Sequence, residues 1–288
     1  MTEYIAMDFT GVFTGVEKTT MQAQFEHLHR DHYQPNFGAS PLEDYLAVNK
    51  QYGATSKEKS SDHALREWFM TMGDVYGMTR EDLEETVDKC FDSGVMNQGV
   101  IDAVIRLAKE HGKKIIIVSK NPKDEVSYVA DRINEEAGEE VIYGVIGTEL
   151  EYDSDGRIIG VKELEYDSDG RIIGVKRLIS DSGSGDIDDT ELVLKSEEIV
   201  RYATSYDFVS DEKDIDIAEA AVAAGNKAIL IRHTPGGEER DPYFARSEDY
   251  QESTIESGAY NEEVENDGNV EDNLVDMLAD NENESESE

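Results

Sequence analysis

Apolar and polar positions divide the chain into four stretches. Tyr4–Asp8 is a short apolar run that ends in an aspartate and passes straight into the turn FTGVFTG. That pattern predicts a buried strand feeding a loop. Residues 16–96 carry apolar side chains at helical spacing in MQAQFEHLHRDHY, PLEDYLAVNKQYG, SSDHALREWFMTMGDVYG and TREDLEETVDKCFDSG, which predicts a helical insertion. Thr79 is the expected N-cap of the last helix, with Asp82 as the acidic partner of a capping box.

From Asn97 onward the period alternates. QGVIDAVIRLAKEHG predicts a helix stopped by glycine. KKIIIVS predicts a strand apolar on both faces, as a parallel sheet requires. KDEVSYVADRINEEAG reads as a helix, EVIYGVIGTELEY as extended, SEEIVRYATS as a helix, YDFVS as a strand, DIAEAAVAAG as a helix and KAILI as a strand. This alternation predicts an α/β fold with a doubly wound parallel sheet. Its core is assigned to residues 1–15 and 97–236, with residues 16–96 as an inserted helical cap. Residues 237–288 are acidic and poor in large apolar side chains. They are expected to form a mostly disordered tail in which only NLVDMLAD has a helical pattern.

ELEYDSDGRIIGVK occurs at 149–162 and again, identical, at 163–176. Each unit reads as strand, Asp-Gly turn, strand, and so predicts a hairpin. DSDG hints at a calcium loop, but such a loop starts with aspartate, ends with glutamate and lies between helices. Here the end positions are Glu151 or Glu165 and Lys162 or Lys176, flanked by strand patterns, so the polar hairpin turn is the better reading.

Composition narrows the function classes. The formal net charge is −39. Residues 238–288 contribute −17 and residues 1–237 contribute −22, so the tail alone does not account for it. Such a surface repels nucleic acid and anionic membranes, and neither is expected as a partner. An acidic body also suits a halophile-like, salt-rich cytoplasm, where screening is short-ranged. The only cysteine is Cys90, which excludes an intramolecular disulfide and argues against a cysteine-based zinc site. No stretch approaches a membrane span, and a cytoplasmic protein is expected. His27, His29 and His32 do not share a helix face and read as surface residues. Trp68, Phe69 and Met72 read as cap core.

The chemistry follows from the sheet. Ligands of open α/β sheets bind beyond the carboxyl ends of the strands. Asp8 ends one strand, Ser119 ends another and Asp211 closely follows a third. If these strands are parallel neighbours, two carboxylates and a hydroxyl converge at one rim. With a lysine nearby, they suit a magnesium-dependent phosphoryl site.

IAMDFTGV, KIIIVSKN, Lys195 and FVSDEKDIDIAEAAVAAGNKAIL resemble, in order, the four motifs of the haloacid dehalogenase (HAD) superfamily, over roughly residues 4–233. GVIGTELEYDSDGRIIGVK resembles the phosphoserine phosphatase-like branch, which places a helical cap between its first two motifs. The resemblance implies that Asp8 is the nucleophile and a Mg2+ ligand, and that Thr10 gives a backbone carbonyl to the metal. It implies that Ser119, Asn121 and Lys195 hold the phosphoryl group, with Lys162 or Lys176 as alternatives to Lys195. Asp211 and Asp216 complete the metal set, with Asp214 as a rival to Asp216; either of the last two could instead cap the following helix.

Three positions depart from the family. Thr10 stands where a second aspartate usually protonates the leaving group and activates water, as in the ion-pumping ATPases of the same superfamily. Ser210 replaces a glycine, and Lys120–Asn121 replace small glycines. The expected function is hydrolysis of a small phosphorylated metabolite, slowed at Thr10. The alternatives are a catalytically impaired phospholigand- or protein-binding protein, and a phosphotransferase.

Overall fold

Strand β1 (Tyr4–Asp8) lies inside a six-stranded parallel sheet. In the computed structural model, which describes residues 3–14, 20, 23–24, 69–70, 72–74, 76–166, 172–178, 199, 203–211, 214–232 and 259–279, side chains are described for all of these except 163–166 and 172–178. After β1 come α1 (Arg80–Asp92), α2 (Gln98–His111), β2 (Lys114–Pro122), α3 (Lys123–Ala137), β3 (Ile142–Thr148), β4 (Leu150–Tyr152), β5 (Ile158–Tyr166), β6 (Ile172–Leu178), β7 (Asp207–Ser210), α4 (Ile215–Ala223), β8 (Ala228–Arg232), β9 (Glu262–Glu265) and α5 (Val270–Leu278).

The sheet order is β3-β2-β1-β7-β8-β9, and every neighbouring pair is parallel. The chain winds outward from β1 in one direction through β2 and β3, then in the other through β7, β8 and β9. The doubly wound α/β sheet expected from the sequence is therefore present, and its switch point lies at β1. Alternate residues feed opposite faces. Ile5, Met7, Ile115, Ile117, Val209 and Ile229 pack under α2 and α5, whereas Ala6, Ile116, Val118, Phe208 and Ala228 pack under α4.

Local signals place the helices. Thr79 and Asp82 make the reciprocal capping box: Thr79 N–H donates to Asp82 Oδ2 at 2.8 Å, and Asp82 N–H donates to Thr79 Oγ1 at 3.2 Å. The shorter aspartate is long enough for the job. Gly112 ends α2 in the left-handed region at φ 64°, where glycine carries no Cβ penalty. Helix α1 lies within 16–96 but packs on the core: Val87 and Cys90 join the core cluster, and Arg132 and Tyr128 of α3 bond Asp88. The three N-terminal cap helices lie largely outside the described residues, as do Trp68 and the three histidines. Phe69 and Met72 are buried among apolar neighbours, as core residues.

The C-terminal stretch differs from the sequence expectation. Residues 259–279, read there as part of a disordered tail, supply the sixth strand and a helix. NLVDMLAD falls largely within α5, whose Leu274, Val275 and Leu278 are buried. Asn261 bonds the Ala228 backbone through both main chain and side chain, and Asn97 Nδ2 donates to Asn266 Oδ1 at 3.0 Å. The high acid content masked this pattern because the acids fall on exposed positions around a narrow apolar stripe.

The duplicated segment builds the three-stranded sheet β4-β5-β6. Leu150 pairs with Val161, Glu151 with Gly160 and Tyr152 with Ile158. Fourteen residues on, Leu164 pairs with Val175, Glu165 with Gly174 and Tyr166 with Ile172. Both units thus fold in one register, and they fuse through β5. The first unit is anchored. Leu150, Ile158 and Val161 bury against Phe69, Met72, Met78 and Leu83, and Ile158 N–H donates to Met78 O at 2.9 Å. Deleting either unit yields the same polypeptide, and the surviving copy can take the anchored place. Deletion of Glu163–Lys176 is therefore expected to leave a cooperatively folding protein, since shortening a connection changes closure entropy by only about 0.6 kcal/mol per halving. Loss of a cooperative thermal transition in that variant would contradict this.

No helix among the described residues is long and apolar enough to cross a membrane. Arg106 is surrounded by Glu110, Glu271 and Asp272, one of many places where acids outnumber bases. Melting temperature is accordingly expected to fall between about 3 M and about 0.1 M KCl as screening weakens. Equal melting temperatures by circular dichroism would contradict the salt-adaptation reading.

Candidate active site

The sheet order makes β2, β1 and β7 consecutive. Asp8 pairs in register with Val118, one residue before Ser119, and Met7 pairs with Val209, two residues before Asp211. The three groups predicted to converge therefore leave adjacent strands at one rim of the sheet, beside the switch point. Asp8 is 6% exposed, Ser119 2% and Asp211 2%. The turn after β1 is pressed against the loop after β7. Gly11 sits at φ 84°, and a Cβ there would stand 2.2 Å from Asp211 Oδ2. Only glycine allows this approach.

The two acids proposed for the end of the last motif separate clearly. Asp216 lies in the first turn of α4 and is exposed; its charge acts on Tyr206. Asp214 is 8% exposed and occupies the N-cap position without making a side-chain cap bond. Its charge falls, with those of Asp211 and Asp8, on Tyr260. The structure thus brings Asp214, and not Asp216, to the rim. The helix-cap alternative for Asp214 is not realised.

Ser119 does not cap α3. Pro122 holds that position instead, with no side-chain cap bond, and Ser119 Oγ accepts the Asn121 N–H at 3.0 Å. The hydroxyl thus stays within the loop that leaves β2. Asn121 is buried. Thr10 Oγ1 donates to Asn121 Oδ1 at 3.4 Å, and Asn121 Nδ2 donates to Thr20 Oγ1 at 3.2 Å. Lys195 and the side chain of Lys176 lie outside the described residues. Lys162 Nζ is engaged by Glu149 at 3.4 Å, alongside Lys123 at 3.1 Å.

Sequence reasoning missed two residues here. Tyr260, from the stretch read as tail, places a buried hydroxyl toward Ser210 without a well-formed hydrogen bond among the described residues. Burial, then the charges of Asp214, Asp211 and Asp8, push its phenol far above the usual range. Glu125 is fully buried in the first turn of α3. Burial pushes its carboxyl up to about 7, against the opposing effect of the polar Thr20, Gln24 and Asn121 side chains. Nothing in the sequence marked Glu125, because a glutamate in a first helical turn ordinarily reads as a solvated dipole partner.

Its raised carboxyl sets a pH dependence. The unfolded chain ionises Glu125 near 4.5 and the folded chain near 7, so stability is greatest below the first value and falls as pH rises to the second. The loss is on the order of 3 kcal/mol. Glu125→Gln, which cannot ionise, is expected to gain on the wild type by about that amount between pH 4.5 and pH 7.5 in urea titrations. A constant difference across that range would contradict the shift.

Magnesium is compatible with these residues. Asp8, Asp211 and Asp214 are nearly buried, and buried carboxylates that share one rim favour a cation among them. No group of three or more acidic, histidine or cysteine side chains is drawn together as a closed metal cage among the described residues. Mg2+ does not need one, since it commonly takes one or two carboxylates and keeps several waters.

No family model matches the chain, and no curated protein sequence matches it. Among solved structures it is similar to cytosolic 5'-nucleotidase IIIB bound to cytidine, with a TM-score of 0.56 at 12% identity over 96% of this chain and 85% of that one. Two others overlap more loosely. A protein of unknown function from Bordetella pertussis Tohama I has a TM-score of 0.48 at 14% identity, over 92% of this chain and 99% of that one. A phosphoserine phosphohydrolase-like protein from Francisella tularensis subsp. tularensis SCHU S4 has a TM-score of 0.48 at 15% identity, over 80% and 88%. The six-stranded parallel sheet flanked by helices, with its switch point at β1, gives this chain a doubly wound α/β fold similar to that of cytosolic 5'-nucleotidase IIIB.

Proposed function

We propose that this protein is a magnesium-dependent phosphomonoester hydrolase that works through an aspartyl-phosphate on a small phosphorylated metabolite in a salt-rich cytoplasm. The observation that carries this reading is the arrival of Asp8, Ser119 and Asp211 from three adjacent parallel strands at one buried rim. Asp8 is the nucleophile. One of its carboxylate oxygens forms a bond to phosphorus as the bond to the leaving oxygen breaks, and the leaving alkoxide takes up a proton. Water then attacks phosphorus, releasing phosphate and restoring the Asp8 carboxylate.

Asp8, Asp211, Asp214 and the Thr10 carbonyl are the groups that would hold Mg2+, which when bound offsets phosphate charge. Ser119 and Asn121 orient the phosphoryl oxygens, with Lys195 proposed as the steadying cation. Thr10 has no proton to exchange near neutral pH, so both protonation of the leaving group and activation of water are weak. That same feature supports a second reading, a phosphotransferase whose acceptor is not water.

The test is a panel of phosphorylated metabolites, assayed for phosphate release in molar KCl with magnesium and with a chelator. Release that depends on magnesium supports the hydrolase. Phosphoenzyme formation without release, relieved by an alcohol or other acceptor, supports the transferase. Neither activity on any member would remove the proposal.

A further inference from the structure

We propose that Glu125 is a positioning residue of the phosphoryl site: as a neutral acid it acts with Thr20 and Gln24 to lock the Asn121 amide against Thr10. This rests on the phosphoryl-transfer reading above. Glu125 stands six residues after Ser119, on the first turn of α3, and is fully buried. Its Oε2 accepts a 2.8 Å bond from Gln24 Nε2, and the polar Thr20 and Asn121 side chains lie near enough to act on its carboxyl. Asn121 directs its nitrogen toward Thr20 and its oxygen toward Thr10. One network runs from the residues after the β1 loop, through a core helix, to the position where proton transfer is thinnest.

Two oxygens fix the protonation state. Glu125 Oε1 and Gln24 Oε1 are both buried and both lack a hydrogen-bond partner among the described residues. They belong to groups already joined by the 2.8 Å bond. A proton on Oε1 would turn one of these two unpartnered acceptors into a donor. Ionised, the pair keeps two orphaned acceptors and a buried charge. Among the described residues, the groups acting on it directly, Thr20, Gln24 and Asn121, are uncharged. Tyr152 of β4 also feels Glu125, but its phenol is pushed up to about 12, chiefly by burial. Arg80 and Glu84 of α1 act on that tyrosine. On α3 itself, Lys123 pairs with Glu149 and Asp124 with Arg80. Among the described residues no cation is paired with Glu125, and within that set a proton on the carboxyl is what would keep it neutral.

The experiment uses the full chain in molar KCl with magnesium and compares wild type with Glu125→Gln, Glu125→Ala and Gln24→Ala. Two readouts are taken: the side-chain amide signals of Asn121 by NMR, and the rate of acid-trapped phosphoenzyme formation with its KM. Glu125→Gln is expected to keep both Asn121 signals sharp and distinct and to hold the rate within about twofold. Above pH 7 it should outrun the wild type, whose carboxyl ionises there.

Glu125→Ala and Gln24→Ala should merge or broaden the Asn121 signals. They should lower the rate by up to about 10²-fold, the scale of a small misplacement at a reacting centre, with KM little changed. Glu125→Ala should add nothing to Asn121→Ala. Undisturbed Asn121 signals in both alanine variants would overturn the proposal, as would Glu125→Gln failing as badly as Glu125→Ala. If the wild type forms no phosphoenzyme, the function proposed above fails, while the Asn121 signals still decide whether Glu125 positions it. If Glu125→Ala does not fold, Gln24→Ala carries the comparison.

Discussion

Asp8→Asn is expected to abolish phosphoenzyme formation and to lower hydrolysis of an aryl phosphate on the order of 10⁶-fold, the scale of losing a covalent nucleophile. Asp8 ends a strand hydrogen-bonded on both sides, by β2 and by β7, so its carboxylate cannot be replaced by a drifting neighbour. Asparagine has the same shape and leaves the register intact, but an amide is a far poorer nucleophile than a carboxylate. Circular dichroism of the variant should match the wild type. Hydrolysis that survives in a folded Asp8→Asn protein would remove Asp8 from the chemistry and leave the binding-protein alternative in front.

Thr10→Asp is expected to speed turnover. A positioned acid–base group contributes about 10²–10⁴-fold, and position 10 is where the resembled family keeps one. The surroundings argue for the lower end. The Thr10 hydroxyl now donates to Asn121 Oδ1, and an ionised aspartate cannot donate. The Asn121 amide would have to turn and offer Nδ2, which breaks its bond to Thr20. A gain of about 10²-fold in steady-state hydrolysis is therefore expected, with less phosphoenzyme at steady state. A fall in turnover, with unchanged phosphoenzyme, would mean that another group already supplies the proton transfer.

What the sequence disclosed depended on how locally each feature is encoded. The apolar runs at β1, β2, β7 and β8 are short and two-sided, so their parallel pairing was legible, and with it the meeting of Asp8, Ser119 and Asp211. Thr79 and Gly112 marked helix ends because caps involve only neighbouring residues. Asp214 and Asp216 could not be separated in advance. They are two residues apart, and only the packing of α4 decides which is buried. Residues 259–279 were hidden by charge, since the apolar stripe of α5 is sparse and β9 carries Glu262, Glu263 and Glu265 on an outer strand. Glu125 was hidden for a different reason. Its role comes from Thr20 and Gln24, about a hundred residues earlier, and no pattern along the chain joins them. The duplication was plain in the sequence, but its fusion into one continuous β5 was not, because the join lies between two copies of a hairpin that each looked complete.

The most direct measurement is acid-quench trapping of protein-bound phosphate, in molar KCl with magnesium, on wild type and Asp8→Asn in parallel. The wild type is expected to carry a hydroxylamine-sensitive phosphoryl group, mapped to the peptide that contains Asp8, and Asp8→Asn to carry none. Label that persists in Asp8→Asn, or maps elsewhere, would contradict a nucleophilic Asp8.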